Sequence, residues 1–377
     1  MKRPLTKLKK YVGRALCLPL LALVMLHASV ITLWAQTQLS AYVPGVTPDG
    51  AVYFLPKTAL RISVLVEKTT YEPGDLAPYA QRYLRISDVS QERATRFRVA
   101  GISVTPCPVA DTTKAYAVHF DPRTVAARLT LSQDGRLLAL NMEDVEDIET
   151  PAPYVPAPQP EWVNPKQFLG EDILSCGSTA KMAEMTAHEI YDLRENRSLL
   201  IKGQADFMPQ DGRQMELMLN ELDRQDRALT SLFTGTTQCD TTEHVLWVVP
   251  ERTDSTAAAR RVLFRLSQVK GLVEADDLSG APYYVTVDNI SQLPEEQPAT
   301  KGKKGKSVAG IFVNVPGRLR ITLYQGITPI LTEEHPAPQY GQTMLLGADL
   351  LNKRYNTRVL LDNLSGALLR LDADQPK

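Results

Sequence analysis

Between Thr150 and Pro165 the chain places six prolines: Pro151, Pro153, Pro156, Pro158, Pro160 and Pro165. Proline lacks a backbone N–H and fixes φ, so this stretch cannot lie inside a helix or a central strand and reads as a stiff, extended strap. It separates segments of unlike pattern: β-like alternation before it, helical periodicity directly after it, and β-like alternation again further on. The functional alternative for such a strap is a Pro-rich recognition ligand.

Upstream of the strap, Leu60, Ile62, Val64 and Val66 fall on one face at the period of a half-buried strand. A short amphipathic helix is expected next, capped by Asp75 and burying Tyr79, Ala80, Tyr83 and Leu84. RFRVAGISVTP and YAVHF read as two strands, and LTLSQDGRLLAL as a hairpin turning at Asp134-Gly135. Downstream, Ser178 is expected to cap a helix that buries Met182, Met185, Ile190 and Leu193 and ends at Gly203. A second helix from Asp211 to Gly235 would bury Met215, Met218, Leu219, Leu222, Leu229, Leu232 and Phe233. Helices of similar length joined by a short loop form an antiparallel hairpin. Short β runs then continue to the C-terminus. DDLSGAPYYVTV and DNLSGALLRLD share a Leu-Ser-Gly turn, through internal duplication or recurring turn chemistry.

The fold class expected is therefore α+β and predominantly β, with antiparallel β-rich units flanking a long antiparallel helical hairpin. The organisation is a leader at 1–35, an N-terminal β-rich domain at 36–149, the strap at 150–165, the hairpin at 166–240 and a C-terminal β-rich domain at 241–377. A chain of 377 residues is long enough for that many units.

Lys2, Arg3, Lys7, Lys9, Lys10 and Arg14 precede an apolar run from Ala15 to Ala35, the pattern of an export signal cleaved between Ala35 and Gln36. The run is also long enough to remain as an uncleaved anchor. Cys17 follows Leu16, where a lipoprotein signal requires a small residue, so no lipid-anchored cysteine is expected. Removing the six leader cations from 42 leaves 36 against 43 acids, a net charge of about minus 7, which argues against nucleic-acid binding. Lys301, Lys303, Lys304 and Lys306 form a glycine-interleaved loop, and membrane contact is expected only there or through an uncleaved leader.

Cys107, Cys176 and Cys239 remain after the leader, in a compartment that permits disulfides. Cys176 precedes the first long helix and Cys239 follows the second, so an antiparallel hairpin brings them together; the expectation is Cys176 bonded to Cys239 with Cys107 free. The alternative is three free thiols.

Ser178 and Lys181 match S-x-x-K at a helix start, the serine–lysine arrangement of penicillin-binding proteins, without the companion elements. His188 and Glu189 match half of a zinc-peptidase helix, with Asp192 where the second histidine belongs. Cys239, Asp240, Glu243 and His244 are dense in ligand-type side chains. No metal or cofactor is expected. Met182, Met185, Met208, Met215 and Met218 concentrate flexible thioethers in the hairpin, making it the place for an envelope protein partner. Trp162, Trp247 and Tyr340 are the aromatics a carbohydrate-binding groove would use.

YFLPKTALRISV, EPGDLAPYAQRYLRI, LSGAPYYV and PQYGQTMLLGADLLNK together resemble an uncharacterised exported family of Bacteroidetes-type bacteria, domain of unknown function 4831. The resemblance implies a Gram-negative envelope location, periplasmic or outer-membrane associated, and carries no activity with it. It further implies sugar attachment at Asp-Ser/Thr sites, with Thr112, Thr241 and Ser255 as candidates. The expectation is a non-enzymatic binding or scaffolding protein of the periplasm; the alternative is an envelope hydrolase using Ser178 and Lys181.

Overall fold

A computed structural model describes residues 38–44, 50–119, 128–159, 162–251, 259–292, 310–347 and 356–374. A short β1 (Gln38–Ala41) precedes the alternating run, which forms one long strand, β2 (Ala51–Glu72). Leu60, Ile62, Val64 and Val66 are buried as their period requires. β3 (Ala94–His119) returns antiparallel, pairing Ile62 with Val104. The two strands expected in this stretch are one, because register shifts beside Leu55 and Val66 absorb the irregularities. Pro106 and Pro108 are tolerated in β3 because β1 covers only its far end, leaving an open edge where they sit. β4 (Leu129–Leu131) and β5 (Leu137–Leu140) form the expected hairpin, with Gly135 at φ +81°.

The helical part begins with α1 (Ala80–Leu84). Asp75 does not cap it: its carboxylate pairs with Lys166 Nζ at 2.8 Å. After α2 (Glu171–Leu174) come α3 (Thr179–Lys202) and α4 (Gly212–Thr234). Gly203 ends α3 in the left-handed region. Asp211 caps α4 by accepting from Gln214 N at 2.8 Å, and Gln214 Oε1 accepts from Gln210 N in return. Ion pairs Arg194–Asp226 at 3.0 Å and Arg197–Asp223 at 2.7 Å fix the antiparallel register.

The strands that follow are β6 (Thr236–Val248), β7 (Arg261–Ser267), β8 (Gly271–Val273), β9 (Ala281–Asn289), β10 (Gly310–Gln325), β11 (Thr328–Gly347), β12 (Asn356–Leu361) and β13 (Leu368–Asp374). Three antiparallel sheets result, ordered β1-β3-β2-β6, β11-β10-β9-β7-β8 and β13-β12-β5-β4. Strands from both sides of the helices share sheets: β6 pairs with β2, and β12 with β5. The two β-rich segments are thus interleaved in space. The first two sheets pack face to face, with Leu60, Ile62 and Val64 against Phe264, Val285 and Ile321. Tyr53, Leu137, Ile311 and Val359 join all three sheets in a second core. Each fully buried aliphatic or aromatic side chain here contributes about 1.5–3 kcal/mol. The Leu-Ser-Gly turns enter strands of different sheets; Gly366 has φ +68° and Ser365 is buried, whereas Ser279 is exposed, so recurring turn chemistry accounts for the likeness.

Only part of the helical pair is covered. Ile190, Leu193, Leu229, Leu232 and Phe233 form a third core with Leu76, Leu84 and Ile173. The expected burial of Met215, Met218, Leu219 and Leu222 is only partial, because the first half of α4 runs past the body of the protein. At that end Ile201 (57%), Phe207 (71%) and Leu217 (62%) are exposed, and Phe207 lines a depression of about 490 Å³. The other end is pinned to β2 and the turn after it: Tyr71 Oη donates to Thr234 O at 3.0 Å, and Leu76 N to Leu232 O at 2.8 Å. Among the described residues no helix is long and apolar enough to cross a membrane.

Candidate functional site

Gly235 takes a positive φ of 75° and sends the chain from α4 straight into β6. β6 is the edge of its sheet, and the proline strap runs along it. Gln159 Nε2 donates to Cys239 O, and Tyr154 N donates to Glu243 Oε2 at 2.8 Å. Glu243 also accepts from Ser63 Oγ at 2.5 Å and pairs with Arg61 at 2.9 Å. Ser63 first, then the Tyr154 amide, hold the Glu243 carboxyl below the usual carboxylate range. Arg61 and Ser63 are buried on the sheet face that points away from the sandwich core, and the strap blunts an edge that could otherwise pair with another chain.

Where the strap leaves β6, a cleft of about 1000 Å³ opens between strap, β6 and α4. The α4 wall is a polar stripe, Asn220, Arg224, Arg227 and Ser231, whose spacing of four, three and four puts all of them on one face. β6 contributes Gln238 and Asp240, and the strap side contributes Gln159 and Trp162. Trp162 is 63% exposed. Arg224 lies over the Phe168 ring at 5.6 Å and pairs with Glu221 at 3.2 Å, while Arg227 Nε donates to Asp223 O at 3.0 Å. Among the described residues, Arg227 has no carboxylate partner.

The expected disulfide is not formed: Cys107, Cys176 and Cys239 are all free. The inference assumed that Cys239 stays at the helix end, but β6 carries it four residues beyond Gly235, about 13 Å at the rise of a strand. Cys239 Sγ lies 3.9 Å from Thr69 Oγ1, and Cys176 Sγ lies 3.2 Å from Asp172 O. Burial raises the Cys107 thiol, with Arg61 opposing.

Ser178 occupies the cap position of α3, yet its hydroxyl makes no capping bond, and Lys181 pairs with Glu184 at 3.2 Å. The serine and lysine are not assembled as a pair. His188, Glu189 and Asp192 are exposed on α3. Cys239, Asp240, Glu243 and His244 lie within β6, so Cys239 and Glu243 face one way and Asp240 and His244 the other. Of the three candidate aromatics, Trp162 lines the cleft and Tyr340 is buried in the sandwich core. Trp247 is exposed eight residues beyond Cys239, about 26 Å along the strand. Thr112 is exposed in an irregular part of β3 and Thr241 is half-buried in β6. Ser255, the leader with Cys17, Ala35 and Gln36, and Lys301 to Lys306 lie outside the described residues. Arg224 and Arg227, the charged wall of the cleft, were missed because they read as a solvated helix face; the polar stripe opposite Leu222, Leu229 and Phe233 was the available signal.

No curated protein and no solved structure matches the chain. The model of a family described as a domain of unknown function, DUF4831, matches residues 49–369, and the chain belongs to that family.

Proposed function

We propose that the protein is a non-enzymatic binding protein of the bacterial cell envelope, exported to the periplasm by its leader and there free or associated with the outer membrane. The basic start and apolar run of the first 35 residues support export. The cleft carries the binding reading: an exposed tryptophan and two arginines converge on one concave surface, the usual form of a ligand site. The test is a titration with fractionated envelope material, read by Trp162 emission in full chain carrying Trp34→Phe and Trp247→Phe. A saturable shift is expected. Labelling by a serine-reactive probe that disappears in Ser178→Ala would establish the hydrolase alternative instead.

A scaffolding role toward an envelope protein would use the free end of α3 and α4, where Ile201, Phe207 and Leu217 are exposed. Loss of a defined complex on Phe207→Asp, with cleft binding retained, separates the two roles.

A further inference from the structure

We propose that the cleft between the strap, β6 and α4 binds an anionic oligosaccharide, a chain of sugar rings bearing carboxylate or sulfate groups. The inference rests on the reading of the protein as a binding protein and names its ligand class.

Three observations point the same way. Trp162 presents a flat apolar surface, 63% exposed, at a cleft whose other lining residues are mostly of polar type. A lone indole held open beside polar groups matches the mixed character of a sugar ring, which offers a C–H face to stack on and hydroxyls around its rim. Gln159, Asn220, Gln238 and Asp240 supply both donors and acceptors, as hydroxyls require. Arg224 and Arg227, nearly one turn apart on the same face, outnumber the single carboxylate Asp240 among the described lining residues. Guanidinium forks take carboxylate and sulfate groups in two-point contacts, so the lining selects for negative charge.

The volume of about 1000 Å³ lies at the upper end of small-molecule sites and suits several linked rings better than one metabolite. An extended peptide would instead pair with the β6 edge, but Gln159 already occupies the carbonyl of Cys239 there. Hydrolysis of a glycosidic bond in its usual form needs two carboxylates about 5–9.5 Å apart, whereas Asp240 alone lines the described cleft. The chemistry fits retention of the ligand without cleavage.

The experiment uses the full chain with Trp34→Phe and Trp247→Phe, leaving Trp162 as reporter. The probes are hexagalacturonate, a chondroitin sulfate hexasaccharide, neutral cellohexaose and hexaglutamate. Saturable shifts with one or both anionic sugars are expected, and the two arms distinguish carboxylate from sulfate. Arg227→Gln with Arg224→Gln should weaken that binding at least tenfold, and Trp162→Ala should abolish it in calorimetry, both with unchanged melting temperature because these side chains are exposed. Equal binding of cellohexaose, preferential binding of hexaglutamate, or no binding by any probe would each overturn the proposal. An envelope fraction that shifts Trp162 emission when no sugar does would leave the binding reading standing; silence from both would remove it as well.

Discussion

The side-chain amide of Gln339 and the main chain of Thr58 exchange two hydrogen bonds across 281 residues of sequence: Thr58 N donates to Oε1 at 3.0 Å, and Nε2 donates to Thr58 O at 2.9 Å. β6 stops pairing with β2 at Leu60, so Gln339 takes the place of the missing strand two residues further on. Both residues are buried, and without this amide the Thr58 N–H and C=O lose their partner. Gln339→Leu is expected to cost about 2–6 kcal/mol, at about 1–3 kcal/mol for each stranded group. Urea unfolding measures it, and a change under 1 kcal/mol would mean that water reaches Thr58.

Glu243 ties the strap to β6, and its tether depends on pH. Hydrogen bonds from Ser63 and Tyr154 depress its carboxyl, so the tether is complete above the ordinary glutamate range near pH 4.3 and is lost as pH falls through the lower folded value. Hydrogen exchange at the Tyr154 amide should accelerate in acid beyond its intrinsic trend. Glu243→Ala, which leaves the Tyr154 amide no side-chain acceptor at this position, should exchange fast at every pH; protection that persists in that variant would locate the tether elsewhere.

Cys107, Cys176 and Cys239 should all be open to a disulfide reagent as free thiols. Cys239, exposed on the edge strand, should react first; Cys107, whose thiol burial raises, should react last because attack requires the thiolate. A count of one thiol would restore the bridge between Cys176 and Cys239.

What could be read from the sequence was local. Ser178, Gly203, Asp211 and Gly235 mark the helix ends because capping is decided within a few residues. The Asp134-Gly135 turn and the alternation from Leu60 to Val66 are legible for the same reason. Partner choice was not: a period of two says which face is buried, not which strand lies beside it, so the pairing of Thr236–Val248 with β2 left no mark. The cleft suffered doubly. Its walls come from three distant segments, and its arginines sit on a helix face that looks like ordinary solvated surface. The Cys176–Cys239 expectation failed on one backbone angle, since Gly235 turns the chain into a strand and not a loop.

That angle has a measurable consequence. Gly203 and Gly235 both end long helices with positive φ, at 69° and 75°. A Cβ at Gly203 would meet nothing within 4 Å, whereas one at Gly235 would lie 2.4 Å from Glu72 O and 2.8 Å from the Tyr71 ring. Gly203→Ala should therefore lose only the conformational term, about 1–2 kcal/mol. Gly235→Ala carries that strain and must also displace β2 from the end of α4, so its melting temperature should fall further. If the two variants melted together, the contact between Glu72 and Gly235 would be loose, and the cleft wall that begins at Thr236 would not be held in register with α4.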